Sequence, residues 1–300
     1  MPAEATIARC ATTTGIGLHS GASARLKLLS APAGSGIQFR RVDLDGFVVE
    51  ARSANIAKVS YATSLMKKGV FISTTEHLLS ALVGAGIDNV VAEIDNLEVP
   101  ILDGSALPFI EMIRAARPRR QTRRRRVIKI VEKLELREGG KFIGVYPCDR
   151  YQLHYQIDFP HPVIGRQRFS LELTPENYER ELAPARTFGF LADFDAMRRQ
   201  GLIRGGSLNS AVVLDEKAVV NGELRFGDEF VRHKMLDLIG DLALLGARLE
   251  AEVVADRAGH ALHTALVQRL IADRRHWEMV EVEEPSQAPA TAAAVGVYTD

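Results

Sequence analysis

Apolar and polar positions alternate with a period of two through most of the first hundred residues, which predicts strands. Ala5–Ala11 and the alternating Ala24, Leu26 and Leu28 of ASARLKLL flank a turn-rich GIGLHSG. GIQFRRV and FVVEAR, separated by DLDG, read as one hairpin, and YATSLM with GVFIS, separated by KKG, as another. The period then lengthens to that of a helix over Thr74–Val83, with Ser73 as the predicted N-cap. NVVAEID is a further strand and EVPILDG an extended segment, and ALPFIEMIRAA is a helix with Leu107, Ile110 and Ile113 facing inward. Alternation resumes in VIKIVEKLEL, KFIGVYP and YQLHYQIDF, which read as antiparallel strands around a Gly139-Gly140 turn, with QRFSLEL as a fourth.

PENYERELA reads as a short helix, and a helix is predicted over Leu191–Gln200, ended by Gly201. AVVLDEKAVV and an Asn221-Gly222 turn lead into a helix over Phe230–Leu245, followed by the strand RLEAEVVAD. The last helix runs over His260–Asp273 with Leu262, Leu266 and Leu270 on one side. Strands followed by helices, twice, predict an α+β fold rather than a doubly wound sheet. The expected division is a first unit over residues 1–116, a connection over 117–126, a second unit over 127–283 and a mobile tail over 284–300.

Composition narrows the functional classes. Lys and Arg number 38 and so do Asp and Glu, so net charge supplies no case for nucleic acid or an anionic membrane. The run RPRRQTRRRR, Arg117–Arg126, has two readings, a phosphate-binding patch and a solvated connection between units, and the second is preferred in a neutral chain. Cys10 and Cys148 have no metal-type spacing and read as reduced thiols. No signal pattern and no run of transmembrane length is evident, so a cytoplasmic protein is expected.

The Phe230–Leu245 helix carries His233, Asp237 and Asp241 four residues apart, on one face. Val231, Met235, Leu238, Ile239 and Leu242 lie opposite, and Phe230, Leu236 and Leu244 add apolar bulk beside the polar stripe. A helix apolar nearly all round is buried. The stripe is then either a metal-binding half-site or a solvated edge. Ser73-Thr74-Thr75-Glu76-His77 is open in the same way. Glu76 closes a capping box on Ser73, or acts as a base beside His77 as a metal ligand. In Ala258-Gly259-His260-Ala261-Leu262-His263, Gly259 makes a tight strand-to-helix turn that puts His260 at a helix start, and His263 reads as surface.

GIGLHSG, STTEHLLSAL, IDNVVAEID, PILDGSALPFI, ARTFGF and VRHKMLDLIGDL with AGHAL occur in this order. The chain resembles the UDP-3-O-acyl-N-acetylglucosamine deacetylases, zinc amidases at the committed step of lipid A synthesis, from about residue 5 to 282. The resemblance implies two similar α+β units, each a small sheet layered on helices, with the site between them and one insert in each. The first insert would begin at the GIQFRRV–FVVEAR hairpin. The second, over about 186–214, would form an acyl-chain passage with Phe188, Phe190, Leu191, Phe194, Met197, Leu202 and Ile203. It makes His77, His233 and Asp237 the ligands of Zn²⁺, or of Fe²⁺, which the same donors accept. Glu76 becomes the general base, His260 the general acid with Asp241 behind it, and Thr187 the oxyanion donor. Lys234 would face anionic substrate, Phe188 the sugar and acyl chain, and Lys141, Phe159 and Arg257 the nucleotide. A lysine is common in the family where Arg257 stands. The partner that the resemblance implies is the UDP-linked acyl sugar; no nucleic acid and no membrane span are expected, and the chain is expected to be a monomer.

Overall fold

The computed structural model describes residues 2–57, 62–193, 204–205 and 210–282. In the first half of the chain the strands are β1 (Ala3–Ile7), β2 (Ala11–Ile16), β3 (Ser23–Ser30), β4 (Ile37–Arg41), β5 (Phe47–Glu50), β6 (Leu65–Lys67), β7 (Val70–Ile72) and β8 (Val90–Ile94). Helices α1 (Glu76–Gly84) and α2 (Leu107–Ala115) accompany them. Five of these strands form one sheet in the order β2-β3-β8-β4-β5, with only β4 and β8 parallel. The alternation that predicts β3 puts Ala24, Leu26 and Leu28 in the core. The hairpin expected to open an insert is β4–β5, and it belongs to this main sheet because β4 pairs with β8 from Ile37 to Arg41. The separate two-stranded ribbon is β6–β7.

The second half supplies β9 (Pro118–Arg124), β10 (Arg126–Ile130), β11 (Leu134–Glu138), β12 (Lys141–Tyr146), β13 (Tyr151–Phe159), β14 (Gly165–Glu172), β15 (Phe188–Phe190), β16 (Val212–Leu214), β17 (Arg248–Asp256) and β18 (Trp277–Glu281), with helices α3 (Glu229–Leu242) and α4 (His260–Ala272). A seven-stranded sheet is built around β17, whose Leu249, Ala251, Val253 and Ala255 alternate into the core. β12 and β13 are not neighbours as their succession suggests. β17 lies between them, antiparallel to β12 and parallel to β13. The four residues 147–150 suffice to cross the width of one intervening strand.

The arginine-rich run, expected as a solvated connection, is mostly exposed but ordered as a paired strand. Pro118–Arg124 is β9, antiparallel to β1, and its more buried positions meet specific partners. Gln121 donates to the Ala31 carbonyl at 2.9 Å, and Arg125, just past the strand, places Nε 2.9 Å from Asp88 Oδ1. Acidic residues on the first half thus turn a charge run into an ordered edge. In α2 the buried residues are Phe109, Ile110, Met112 and Ile113, whereas Leu107, the first residue of the helix, is only half-buried. Of the expected Leu191–Gln200 helix, residues 191–193 are helical and the rest lies outside the described residues, as do Phe194, Met197, Leu202, Ile203 and the tail.

The two sheets bury their helices against one another, and the closest approach is α1 on α3. Gly240 makes it possible, since a Cβ there would overlap the Glu76 carbonyl oxygen. Tyr178 lies across Gly84 on the same helix and donates to Ser80 Oγ at 2.9 Å. Around α3, Phe230, Val231, Met235, Leu236, Leu238, Ile239, Leu242 and Leu244 are all buried, which settles the helix as one enclosed on every side. Gly240→Ala is expected to destabilise the fold by about 1–3 kcal/mol, the usual penalty of overpacking a close-packed interior. A thermal melt checks this, and an unchanged Tm would show that the α1–α3 contact has slack.

Candidate metal centre

α3 enters the interior with His233, Asp237 and Asp241 along one face, and α1 brings Glu76 and His77 against it from the other half of the chain. His77, His233 and Asp237 form a buried group whose ligand-type atoms all lie within 4.8 Å of one another. His233 Nε2 is 3.3 Å and His77 Nε2 3.6 Å from Asp237 Oδ1. Bonds of about 2.0–2.1 Å to a tetrahedral ion imply donor separations of roughly 3.3 Å, so the spacing fits. His233 directs Nδ1 at the Ala185 carbonyl, 3.1 Å away, which fixes the N–H there and leaves the Nε2 lone pair facing inward. Burial pulls the His233 pKa down to about 3, against the attraction of Asp237, so the ring is neutral and a competent ligand.

Asp237 is the cation-seeking member. Burial opposes its ionisation, but its neighbours His233, Lys234, His77 and His260 outweigh it and hold the carboxyl well below the usual range. Lys234 Nζ lies 2.9 Å from Oδ2, yet Oδ1 is buried with no hydrogen-bond partner among the described residues. A buried anionic oxygen without a donor is costly. Faced by two ring nitrogens, it fits a divalent cation.

Glu76 does not close a capping box. Thr74 has φ +57°, α1 begins without a side-chain cap, and Ser73 Oγ turns to Ser64 Oγ at 3.3 Å. Glu76 Oε2 instead accepts from the Thr63 N–H at 3.1 Å. Burial raises its pKa, with His260 and His77 pulling the other way. At the start of α4, His260 Nδ1 meets Asp241 Oδ2 at 2.8 Å, which leaves Nε2 directed toward the cavity, 3.9 Å from Asp237 Oδ2. Burial alone would lower the His260 pKa, but Asp241, Asp237 and Glu76 bring it up to about 9.

Asp241 holds more than His260. His263, expected at the surface, is fully buried and donates from Nδ1 to the same Oδ2 at 2.8 Å. It stands three residues after His260, so both rings project from one face of α4. Burial lowers its pKa against the pull of Asp241, and Tyr155 OH stands 3.0 Å from its Nε2. Thr63 Oγ1 donates a hydrogen bond to Asp241 Oδ1 and lies 3.2 Å from His260 Nδ1. Nothing in the sequence around Thr63 marked it, because the side-chain partners of its hydroxyl, Asp241 and His260, are more than a hundred residues away.

A cavity of about 320 Å³ opens over this group, lined by Glu76, His77, Thr187, Phe188, Lys234, Asp237 and His260 together with Leu18, His19, Thr74 and Ile101. His19, in the GIGLHSG turn, is a further residue that the sequence reading passed over. Its Nδ1 is buried without a hydrogen-bond partner among the described residues, and burial lowers its pKa against the pull of Glu98. Glu98 shapes that turn by accepting from the N–H groups of His19 at 2.9 Å and Ser20 at 2.8 Å. The Phe188 ring packs on Phe230 and Phe159, with centroids 4.9 and 5.7 Å apart, and Lys234 Nζ stands 5.5 Å from its centroid. Phe159 does not line the cavity but backs Phe188, which does. Lys141 and Arg257 do not line the cavity. Both are exposed, and Arg257 Nη2 donates to the Gly140 carbonyl at 2.7 Å.

Two proteins show the extent of the similarity. The UDP-3-O-acyl-N-acetylglucosamine deacetylase of Solibacter usitatus (strain Ellin6076) is 50% identical over 282 residues, 94% of this chain and 95% of that protein. The protein of the same name from Anaeromyxobacter sp. (strain Fw109-5) is 43% identical over 288 residues, 96% of this chain and 94% of its own. Residues 4–272 match the family model described as LpxC, UDP-3-O-acyl N-acetylglycosamine deacetylase, and the chain belongs to that family.

Proposed function

We propose that the chain is a metal-dependent amidase that removes acetate from UDP-3-O-acyl-N-acetylglucosamine and so acts in lipid A synthesis. The observation that carries the reading is the meeting of His77 from one half with His233 and Asp237 from the other, beside Glu76 and His260, on one cavity. His77, His233 and Asp237 hold the ion, Zn²⁺ by preference of a His₂Asp set with an open position, although Fe²⁺ suits the same donors. Such an ion lowers the pKa of water toward ~7 and polarises a carbonyl.

The chain's own groups do the proton work. Glu76, its pKa raised by burial, takes a proton from the attacking water as the acetamide carbonyl becomes tetrahedral. The Thr187 hydroxyl donates to the oxygen on which charge develops. The C–N bond then breaks, and His260 gives its Nε2 proton to the departing amine, which cannot leave as an amide anion. Asp241 fixes the tautomer by accepting a hydrogen bond from the Nδ1–H, and favours the imidazolium. Lys234 balances Asp237 and faces the anionic substrate, while Phe188, backed by Phe159, forms the apolar wall for the sugar, the uracil and the acyl chain. Lys141 and Arg257 supply exposed positive charge at the β12 turn, where the diphosphate or its nucleotide would lie.

Among the described residues no helix is long and apolar enough to cross a membrane. The free thiols of Cys10 and Cys148 suit a reducing compartment, and we place the reaction in the cytoplasm.

Acetate release from the UDP-sugar by the purified, metal-loaded protein tests the reading directly, and its absence would sink it. Glu76→Gln and His260→Gln should each lower kcat ~10²–10⁴-fold while metal content, read by elemental analysis, stays stoichiometric. His233→Ala or Asp237→Ala should instead lose the metal. The rate should follow a bell in pH. It rises as Glu76 ionises, displaced upward from an ordinary carboxylate, and falls as His260 loses its proton near about 9. His260→Gln should lose the alkaline limb, and an unaltered limb in that variant would remove His260 from the acid role.

A further inference from the structure

A second cavity, of about 110 Å³, lies at the C-terminal ends of α1 and α3 and shares no lining residue with the first. Val83 and Ile87 border it at the end of α1, Ala243 and Gly246 at the end of α3, so it stands roughly one helix length, ~12 Å, from His77. Its walls come from both halves of the chain. They carry two carboxylates, Glu4 and Asp88, and three arginines, Arg52, Arg126 and Arg248.

The carboxylates are already engaged. Asp88 receives Arg125 Nε at 2.9 Å, Arg125 Nη2 at 2.7 Å and the Ala5 N–H at 2.7 Å. Glu4 accepts from the Gly34 N–H at 2.7 Å and from Asn89 Nδ2 at 2.9 Å, with Arg123 Nε 3.4 Å away. The three lining arginines are left over. Among the described residues, none of their guanidinium groups has a hydrogen-bond or ion-pair partner. Arg248 has a second guanidinium among its electrostatic neighbours. Burial and the neighbouring Arg125 push its pKa down, opposed by Asp88 and Tyr151. Arg52 reaches across the seam, since a Cβ on Gly36 would stand 3.8 Å from its Nη2 and one on Gly246 3.8 Å from its Cγ.

The charge count sets the ligand. Two helix C-termini contribute about half a negative charge each, which offsets about one of the three guanidinium charges. About two positive charges remain, gathered in a small space with forked donors that suit tetrahedral oxygens. The volume equals the liquid share of roughly three to four waters, which admits the five heavy atoms of orthophosphate and little more.

We propose that this cavity binds a free phosphate dianion, held by Arg52 of the first half and Arg126 and Arg248 of the second. Bound there, the ion ties the two halves together at the end of the helix layer remote from Glu76 and His77. It also accounts for the arginine run, whose members Arg123 and Arg125 neutralise the wall carboxylates and leave Arg126 at the mouth.

The test is the Tm of the full chain against sodium orthophosphate, with ionic strength held constant by sodium chloride. A ligand of the folded state raises Tm in a saturable way. That rise is expected in the wild type and, undiminished, in Lys234→Ala, which removes a cation from the other cavity. Arg52→Gln with Arg248→Gln should weaken the apparent affinity about tenfold or more, as the loss of charge-assisted hydrogen bonds implies. Arg126→Gln, a single change at an exposed position, should weaken it about threefold, the lower range of such losses. Three results would overturn the proposal: chloride reproducing the rise, Arg126→Gln matching the wild type, or the rise vanishing in Lys234→Ala.

Discussion

The contact between α1 and α3 is the constraint on which the rest of the molecule depends. At Gly240 a side chain is absent, and the backbone of Glu76 fills the space. That approach carries His77 to within ligand distance of His233 and Asp237, and Glu76 to the edge of the same group. It also brings Thr63 to Asp241, since the segment before α1 travels with the helix. The apolar faces of both helices supply the driving force, and the polar residues ride on a geometry that burial has already set.

Asp237 and Asp241, buried on α3, are costly charges to enclose, and their surroundings show how that cost is offset. Asp241 has a complete set of partners in Thr63, His260 and His263, so it is a structural anion as well as a support for the His260 ring. Asp237 has Lys234 on one oxygen and two imidazoles, rather than donors, before the other. The contrast supports the division of roles proposed for them, with Asp241 orienting a ring and Asp237, whose Oδ1 has no hydrogen-bond partner among the described residues, offered to a cation.

Much of the fold was legible because burial follows the period of each element. The alternation of β3 and β17, the two early hairpins and the apolar circumference of α3 all predict what the structure contains. Register and neighbourhood were not legible. β17 slips between β12 and β13, which a succession of strands cannot reveal, because strand order depends on pairings between distant segments. The arginine run became β9 through carboxylates far away in sequence, and local composition carries no information about those.

The site divides in the same way. The sequence by itself determined which residue types share a helix face: His233 with Asp237 and Asp241, and His260 at a glycine-led helix start, since those relations follow from a 3.6-residue period. The family motifs added their order along the chain and the roles that such an order implies. Only the tertiary structure decided between competing uses of one residue. Glu76 turns to the Thr63 amide rather than to Ser73, because Thr74 takes a left-handed backbone and breaks the capping geometry. His263 points inward to Asp241 rather than outward, because the sheet beneath α4 presents Tyr155 to receive it. These choices rest on groups separated by long stretches of chain, and it is packing, not periodicity, that brings them together.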